Sequence, residues 1–200
     1  MTNMQNDTQE NLLPKDGETF FFAHFFTAEE SSFYFETLLK EIAWKEEPII
    51  IFGKKIMQPR LTAWYGEAGK AYSYSGITMQ PNLWTPTLLQ IKERIESTSG
   101  VIFNSALLNF YRDGQDSNGW HSDNEKELGV NPVIGSVSFG ASRTFKFKHR
   151  RDKRLNCSVD LANGSFLLMK GPTQHHWLHC IPKTKKVVES RINITFRIIV

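Results

Sequence analysis

His121 and Asp123 lie two residues apart, and in an extended strand such residues point to the same side. Together they can offer an imidazole nitrogen and a carboxylate to one point. A second histidine from a distant strand would complete a two-histidine, one-carboxylate facial triad. That set holds non-heme Fe(II) and leaves positions open for oxygen chemistry. The chain has six histidines. Within residues 174–179, His175 and His179 fall on one face and His176 on the other, so spacing alone does not choose the third ligand. The chain's last strand alternates: Arg191, Asn193, Thr195 and Arg197 share one face, and Ile192, Ile194, Phe196 and Ile198 the other. An amphipathic edge strand would read the same way. If the polar face points inward, both arginines need negative partners, because an unpaired buried charge costs several kcal/mol. The planar guanidinium fork suits a carboxylate held through two parallel bonds, and a dicarboxylate co-substrate would supply one.

These residues need strands to position them, and from residue 101 the periodicity is mostly two. Residues 101–111, 133–139, 144–148, 158–161, 165–169, 174–179 and 192–200 read as strands with turns between. Many short strands at close spacing predict a sandwich or jelly roll rather than alternating strands and helices. Upstream, Thr27 and Glu30 form a capping-box pattern that opens a helix to about Trp44, with Phe33, Leu38, Leu39 and Ile42 at helical spacing. Pro48 breaks it. Residues 49–56 read as a hairpin around Gly53, residues 60–80 as irregular structure over a site, and 85–97, with Pro86 near its start, as a helix ended near Gly100. The expected class is mainly β with α. Residues 1–16 form a disordered lead-in to one domain over 17–200, its catalytic core starting at 101.

Two hundred residues can bury roughly 70% of their unfolded surface as a single domain. The N-terminus has no basic and apolar signal segment, and the apolar run 20–26 is too short to span a bilayer. Cys157 and Cys180 are two unpatterned cysteines, which fits a reducing compartment and a cytoplasmic location, or a nuclear one in a eukaryote. The net charge of +3 hides an asymmetry: residues 1–50 balance at −7 and the rest at +10. Lys146, Lys148, Arg150, Arg151, Lys153 and Arg154 crowd into nine residues, and Lys183, Lys185 and Lys186 form a second cluster. Such stripes are the electrostatic footprint of phosphate backbones, with a solvated hairpin tip as the plain alternative.

Five ordered segments carry a resemblance: 109–114 (NFYRDG), 121–125 (HSDNE), 136–145 (SVSFGASRTF), 177–182 (WLHCIP) and 191–197 (RINITFR). In order and spacing they resemble the AlkB family of Fe(II)- and 2-oxoglutarate-dependent nucleic-acid dealkylases, nearest to its duplex-DNA-repairing members. The resemblance implies a double-stranded β-helix, which agrees with the jelly-roll reading. It implies His121, Asp123 and His179 as iron ligands, and so chooses His179. It places Asn109, Tyr111, Arg191, Asn193, Thr195 and Arg197 around 2-oxoglutarate, with Arg191 on the distal carboxylate and Arg197 nearer the metal and Asp123; these two roles could be exchanged.

The front half resembles the family as well. Phe52, Gly53 and Lys54 match a hairpin that inserts an aromatic finger into a duplex. Residues 59–66, including Trp64 and Tyr65, and 72–76 match a lid over the damaged base. Asn124 stands where a second acidic residue is common, and Trp64 where a smaller one is. Glu125, expected on the strand face of His121 and Asp123, would accept a hydrogen bond from the exocyclic amine of adenine or cytosine. Lys183, Lys185 and Lys186 match a basic loop against the complementary strand. The implied activity is oxidative removal of N-alkyl groups, of the 1-methyladenine and 3-methylcytosine type, from duplex or single-stranded DNA by a monomer using Fe(II), 2-oxoglutarate and O2. RNA is a further substrate of that kind, and no membrane is involved. Competing readings are a hydroxylase of the same fold acting on protein or a small molecule, a zinc hydrolase, and a binding module with a vestigial site.

Overall fold

The computed structural model describes residues 10–51, 54–67, 72–74, 77–79 and 81–200, with the backbone alone at 49–51, 54, 55, 72–74 and 77–79. In chain order the elements are β1 (Glu18–Phe22), α1 (Ala28–Glu41), β2 (Pro48–Ile51), β3 (Lys54–Met57), β4 (Leu61–Gly66), β5 (Tyr72–Tyr74) and β6 (Ile77–Met79). Then come α2 (Pro86–Ser99), β7 (Ser105–Tyr111), β8 (Asn118–His121), β9 (Ile134–Gly140), β10 (Arg143–His149) and β11 (Asn156–Leu161). The chain closes with β12 (Ser165–Lys170), a helical turn α3 (Thr173–His176), β13 (Trp177–Ile181) and β14 (Arg191–Arg197).

Two antiparallel sheets face each other. The larger has the order β1-β12-β9-β14-β7-β4, the smaller β11-β10-β13-β8. Between them lies an apolar core that includes Trp64, Leu107, Ile134, Phe147 and Trp177. On the outer face of the larger sheet, Leu38, Ile42, Leu88, Ile91 and Ile95 of the helical segments pack on Ile192, Ile194 and Phe196. Each such side chain contributes about 1.5–3 kcal/mol through burial. This is the expected jelly roll with helices on one face.

Local chemistry explains the helix bounds. The Thr27 hydroxyl accepts from Glu30 N, and Glu30 Oε2 accepts from Thr27 N, so the capping box is complete. α1 ends at Glu41, short of Trp44, because Ile42 turns extended to bury its side chain. Leu38 and Ile42 lie in the core, whereas Phe33 and Leu39 of the predicted apolar stripe are exposed. α2 starts at Pro86 behind the Thr85 cap and stops at Gly100, whose φ of 69° is a left-handed value that costs glycine nothing.

Several segments differ from the sequence reading. Residues 10–16 are not a loose lead-in: Leu13 is buried between the sheets, Asn11 Oδ1 accepts from Leu13 N and Thr19 N, and Trp177 Nε1 donates to Lys15 O. Residues 1–9 lie outside the described part. β1 was hidden in an apolar run without alternation. The segment 60–80 holds β4, an edge strand of the larger sheet, and the β5–β6 pair. β4 escaped because five of its six residues are buried, so it has no polar face to mark a period of two. β1 and β4 thus carry the core sheet across the division drawn at residue 101. Residues Thr173–His176 form a turn of helix before β13, not a strand. The predicted hairpin is present as β2 paired with β3.

Candidate metal centre and anion pocket

β13 pairs with β8 so that His179 stands opposite His121, both facing the space between the sheets. Asp123 follows two residues after β8 ends, and its backbone N–H donates to Gln174 Oε1 at 3.0 Å. One ligand atom each from His121, Asp123 and His179 lies within 4.8 Å of the others. His121 Nε2 is 3.9 Å from Asp123 Oδ1, and His179 Nε2 is 4.0 Å from Asp123 Oδ2. His121 Nδ1 is 2.7 Å from the carbonyl of Gly119. A carbonyl only accepts, so Nδ1 carries the proton and Nε2 keeps its lone pair toward Asp123, the tautomer a metal ligand needs. Asn118 Nδ2, 3.2 Å from Nε2, is the group a metal would displace.

Electrostatics keeps Asp123 and His179 in ligating form. Burial by itself would raise the Asp123 carboxyl, but Arg197, whose Nη2 donates to Oδ1 at 2.9 Å, and the two histidines hold it at about 2. Burial, then repulsion from His121, pushes the His179 imidazole down to about 3, so it is neutral at physiological pH. A buried carboxylate beside two imidazoles, that of His179 held neutral, is a hard-to-borderline donor set suited to Fe(II). His175 is exposed on α3 and takes no part. A second cluster, Asp16, His149 and His176, is also close enough to bind an ion. There, His149 Nδ1 accepts from the backbone N–H groups of Arg151 and Asp152, which leaves its proton on Nε2, facing Asp16. That tautomer cannot ligate through Nε2.

Further into the roll, β14 lies between β9 and β7, so it is a central strand and not an amphipathic edge. Its polar face points inward. Arg191 is 1% exposed, and Nη2 donates to Ser138 Oγ, while Nε and Nη1 have no partner. Its guanidinium sits 5.1 Å from the centre of the Tyr111 ring, which Arg143 approaches to 5.8 Å. Burial lowers Arg191 only to about 10, so the charge persists. An unneutralised buried guanidinium with two idle donors is a site built for an acid, and 2-oxoglutarate fits it. Arg197 is committed to Asp123, with Nη2 donating to Oδ1 at 2.9 Å.

Asn109 lines the same cavity, its carbonyl oxygen taken by Arg60 Nε at 2.6 Å. Asn193 and Thr195 also line it, but they serve the wall: Asn193 donates to Ser136 Oγ and Val137 O, and Thr195 donates to Asn193. Ser136, Ser138, Arg60 and Gln174 were not singled out from sequence. The two serines alternate along β9 opposite Thr195 and Asn193, a period-two signal readable once the pairing is known. Gln174 gave no signal.

The expected substrate residues divide. Trp64 is 1% exposed and packs between the sheets beside Leu107, which it faces across β4 and β7. Tyr65 points to the opposite side, into the helix-covered core, where its hydroxyl accepts from Ala43 N. Neither covers a base; both are core. Asn124 is exposed beside the ligands. Glu125 is half-buried, but β8 has ended by then and Glu125 opens a 3-10 turn at Lys126–Leu128, so it does not share a strand face with His121. Lys183, Lys185 and Lys186 are exposed on the loop after β13. Thr184 of that loop approaches Gly114 so closely that a Cβ there would meet its carbonyl at 2.7 Å. Phe52 and Gly53 lie outside the described residues, and Lys54 is described only as backbone of β3.

Residues 18–197 match the model of the 2OG-Fe(II) oxygenase superfamily. Alpha-ketoglutarate-dependent dioxygenase alkB homolog 3 of Rattus norvegicus is 43% identical over 182 residues, 86% of this chain and 61% of that protein. DNA oxidative demethylase ALKBH2 of Homo sapiens is 40% identical over 178 residues, 84% of this chain and 68% of that protein. The solved structure of OsALKBH1 shares the fold at a TM-score of 0.63 and 19% identity, over 90% of this chain and 97% of that one. The chain spans about three fifths of the length of the first of these relatives. With the sheet order and the His–Asp–His cluster already in place, the family match and these relatives settle the membership: the chain belongs to the 2OG-Fe(II) oxygenase superfamily, in its AlkB-like branch.

Proposed function

We propose that this protein is a DNA repair oxygenase that removes N-alkyl lesions by oxidative dealkylation. The observation that carries it is a buried Arg191, with Nε and Nη1 both without a hydrogen-bond partner, in a cavity that also holds the His121, Asp123 and His179 cluster. The nature of the substrate is supported by the relative named as a DNA oxidative demethylase.

When bound, iron with 2-oxoglutarate and O2 supplies the oxidising power that places one oxygen atom on the N-alkyl carbon while 2-oxoglutarate leaves as succinate and CO2. The hydroxylated group then departs as an aldehyde. The chain's own residues prepare this. His121, Asp123 and His179 hold the metal, and Arg197 keeps Asp123 ionised. Arg191 and Tyr111 bind the distal carboxylate of the co-substrate, Ser138 fixes the rotamer of Arg191, and Asn109 borders the same cavity. Phe145, Leu107, Met169 and Ile181 complete the wall with apolar surface that excludes water.

A base inside a duplex has to flip out, which costs a few kcal/mol, least for a base whose alkyl group already breaks pairing. Phe52, which falls between β2 and β3 in the sequence, is the aromatic side chain proposed to fill the gap, and stacking there recovers about 1–3 kcal/mol. Asn124 and Glu125, next to the ligands, are the groups available to the base edge. The basic loop at Lys183, Lys185 and Lys186 serves the phosphates. RNA is a secondary substrate of the same pocket, and the working unit is a monomer. The test is aerobic incubation with Fe(II), 2-oxoglutarate and DNA containing 1-methyladenine, followed by mass. Loss of the methyl mass with succinate formed is expected. Succinate formation that no alkylated strand stimulates would sink the substrate, and no 2-oxoglutarate consumption at all would sink the chemistry.

A further inference from the structure

The outer face of the smaller sheet has a composition that the iron site does not use. Along β10, Phe145, Phe147 and His149 are buried, while Thr144, Lys146, Lys148 and the following Arg150 turn outward. On the edge strand β8, Trp120 precedes His121 and so faces the other way; it is 44% exposed. The Lys148 ammonium lies 4.3 Å from the centre of the Trp120 ring. Trp120, Lys146, Lys148, Asn156, Cys157 and Ser158 line one surface cleft, whose wall contains no carboxylate. Lys146 also lines the adjoining cleft, with Arg143, Lys183, Lys186 and one carboxylate, Asp160, so the basic row continues toward the basic loop past a single acid. At the other end, Arg150 donates to Ser122 Oγ, between two of the metal ligands.

The nearby acids do not cancel this row. Asp160 accepts from Thr144 at its far end, and Asp152 is held by Arg154 and Lys15. Of the six cations that crowd residues 146–154, Arg154 is therefore spent on Asp152, and Lys146, Lys148 and Arg150 are the ones aligned. Alternate residues on one strand face are about 6.6 Å apart, about the separation of successive phosphates in an extended single strand. An exposed indole offers a π-face to an unpaired base, which a duplex keeps stacked within itself.

We propose that the outer face of the smaller sheet is a track for single-stranded DNA flanking the lesion. Trp120 is the stacking platform, Lys146, Lys148 and Arg150 are the phosphate contacts, and the track leads to the mouth of the iron site at Ser122. The choice of DNA rests on the function proposed above; the track itself does not require that dealkylation occur. On binding, a base replaces the Lys148 ammonium over Trp120, and the ammonium moves to the neighbouring phosphate.

The experiment uses the protein loaded with Fe(II) and 2-oxoglutarate under argon, and unmodified labelled oligo(dT) of about 12 nucleotides, within the span that such surfaces cover. Trp120→Ala is expected to lower the affinity about tenfold, one base stack, and to lower the ratio of affinities for this strand over a trinucleotide. Trp120→Phe, which keeps a ring, is expected to restore most of the loss. Lys146→Ala with Lys148→Ala is expected to reduce the slope of log K against log salt by about 1.4, two phosphates of a single strand. No loss in Trp120→Ala, the same loss on the trinucleotide, or equal losses in Trp120→Ala and Trp120→Phe would each overturn the track. Tighter binding of oligo(U) than of oligo(dT) would overturn the choice of DNA. Binding that behaves as expected in a protein that proves unable to demethylate would leave the track standing and refute the activity alone.

Discussion

At the residue scale, the charged groups of the cavity differ in what stands against them. Asp123 and Arg197 neutralise each other, and His179 beside them is neutral because burial disfavours its protonated form. Arg191 differs from Arg197: Nη2 donates to Ser138, Tyr111 is its other polar neighbour, and Nε and Nη1 have no hydrogen-bond partner. Arg191→Met should therefore raise the 2-oxoglutarate concentration for half-maximal turnover by roughly 30-fold or more, the loss of one buried charge-assisted pair. The cofactor-free variant should melt no earlier than the parent, because an uncompensated charge has gone. A parent-like 2-oxoglutarate requirement would place the acid elsewhere. His179 gives a pH prediction. Its folded pKa, about 3, lies below the unfolded value near 6.5, so the unfolded chain takes up the proton first and stability falls as pH drops below 6.5 toward 3. Asp123, held at about 2, keeps its stabilising ionisation until still lower pH. Between pH 7.5 and 5, metal-free protein should lose roughly 2 kcal/mol through His179 alone. His179→Gln should remove that part of the slope in paired denaturant titrations, and an unchanged slope would refute the assignment.

At the element scale, the ligands come from a strand end, a connection and the middle of a strand. His121 closes β8, Asp123 lies in the connection beyond, and His179 is central in β13. The turn α3 binds these parts together, because Gln174, fully buried, accepts from the Asp123 backbone and turns its amide toward Met169 of the cavity wall. Gln174→Ala should loosen the Asp123 connection and weaken Fe(II) or Mn(II) binding by about 10–100-fold, as support groups behind metal ligands commonly do. Metal titration followed calorimetrically would read this directly, and unchanged affinity would make Gln174 a packing residue only. The sequence marks the strands that alternate and misses those that do not. β14 declares itself through four polar and three apolar positions, although its central place had to come from pairing. β4 is buried on both faces and has no alternation to mark it as a strand, and its Trp64 and Tyr65 belong to the core, not to the lid that the resemblance implies.

At the scale of the whole molecule, the N-terminal segment is part of the roll. Leu13 is buried between the sheets, and Lys15 accepts from the indole of Trp177 next to α3. Leu13→Ala should cost about 2–5 kcal/mol, the usual range for a buried leucine. For a protein of this size that is a fall in melting temperature of about 4 °C or more. A melting temperature within a degree of the parent would restore the reading of residues 10–16 as a loose lead-in. The same view separates two chemically distinct faces on one small sheet. Its inner face presents His121, His179 and apolar residues to the cavity, and its outer face presents lysines and Trp120. Period-two alternation makes this inevitable once the strand is fixed: each residue that enters the site sends its neighbours to the surface.

What the sequence by itself determined is the chemistry that depends on residue type and local spacing. The His121 and Asp123 pair, the Arg191–Arg197 alternation, the capping box at Thr27, the Pro86 start and the Gly100 stop are all local signals, written within a few residues. The likeness of ordered segments added His179, which lies 56 positions beyond Asp123 in the chain. Only the tertiary structure decided which arginine meets Asp123 and which is left for an acid. It alone placed Gln174 behind the ligand connection, buried Trp64 and Tyr65, and aligned Lys146, Lys148 and Arg150 beside Trp120. Those outcomes depend on strand order and register. They are settled by long-range pairing and burial, which local periodicity does not encode.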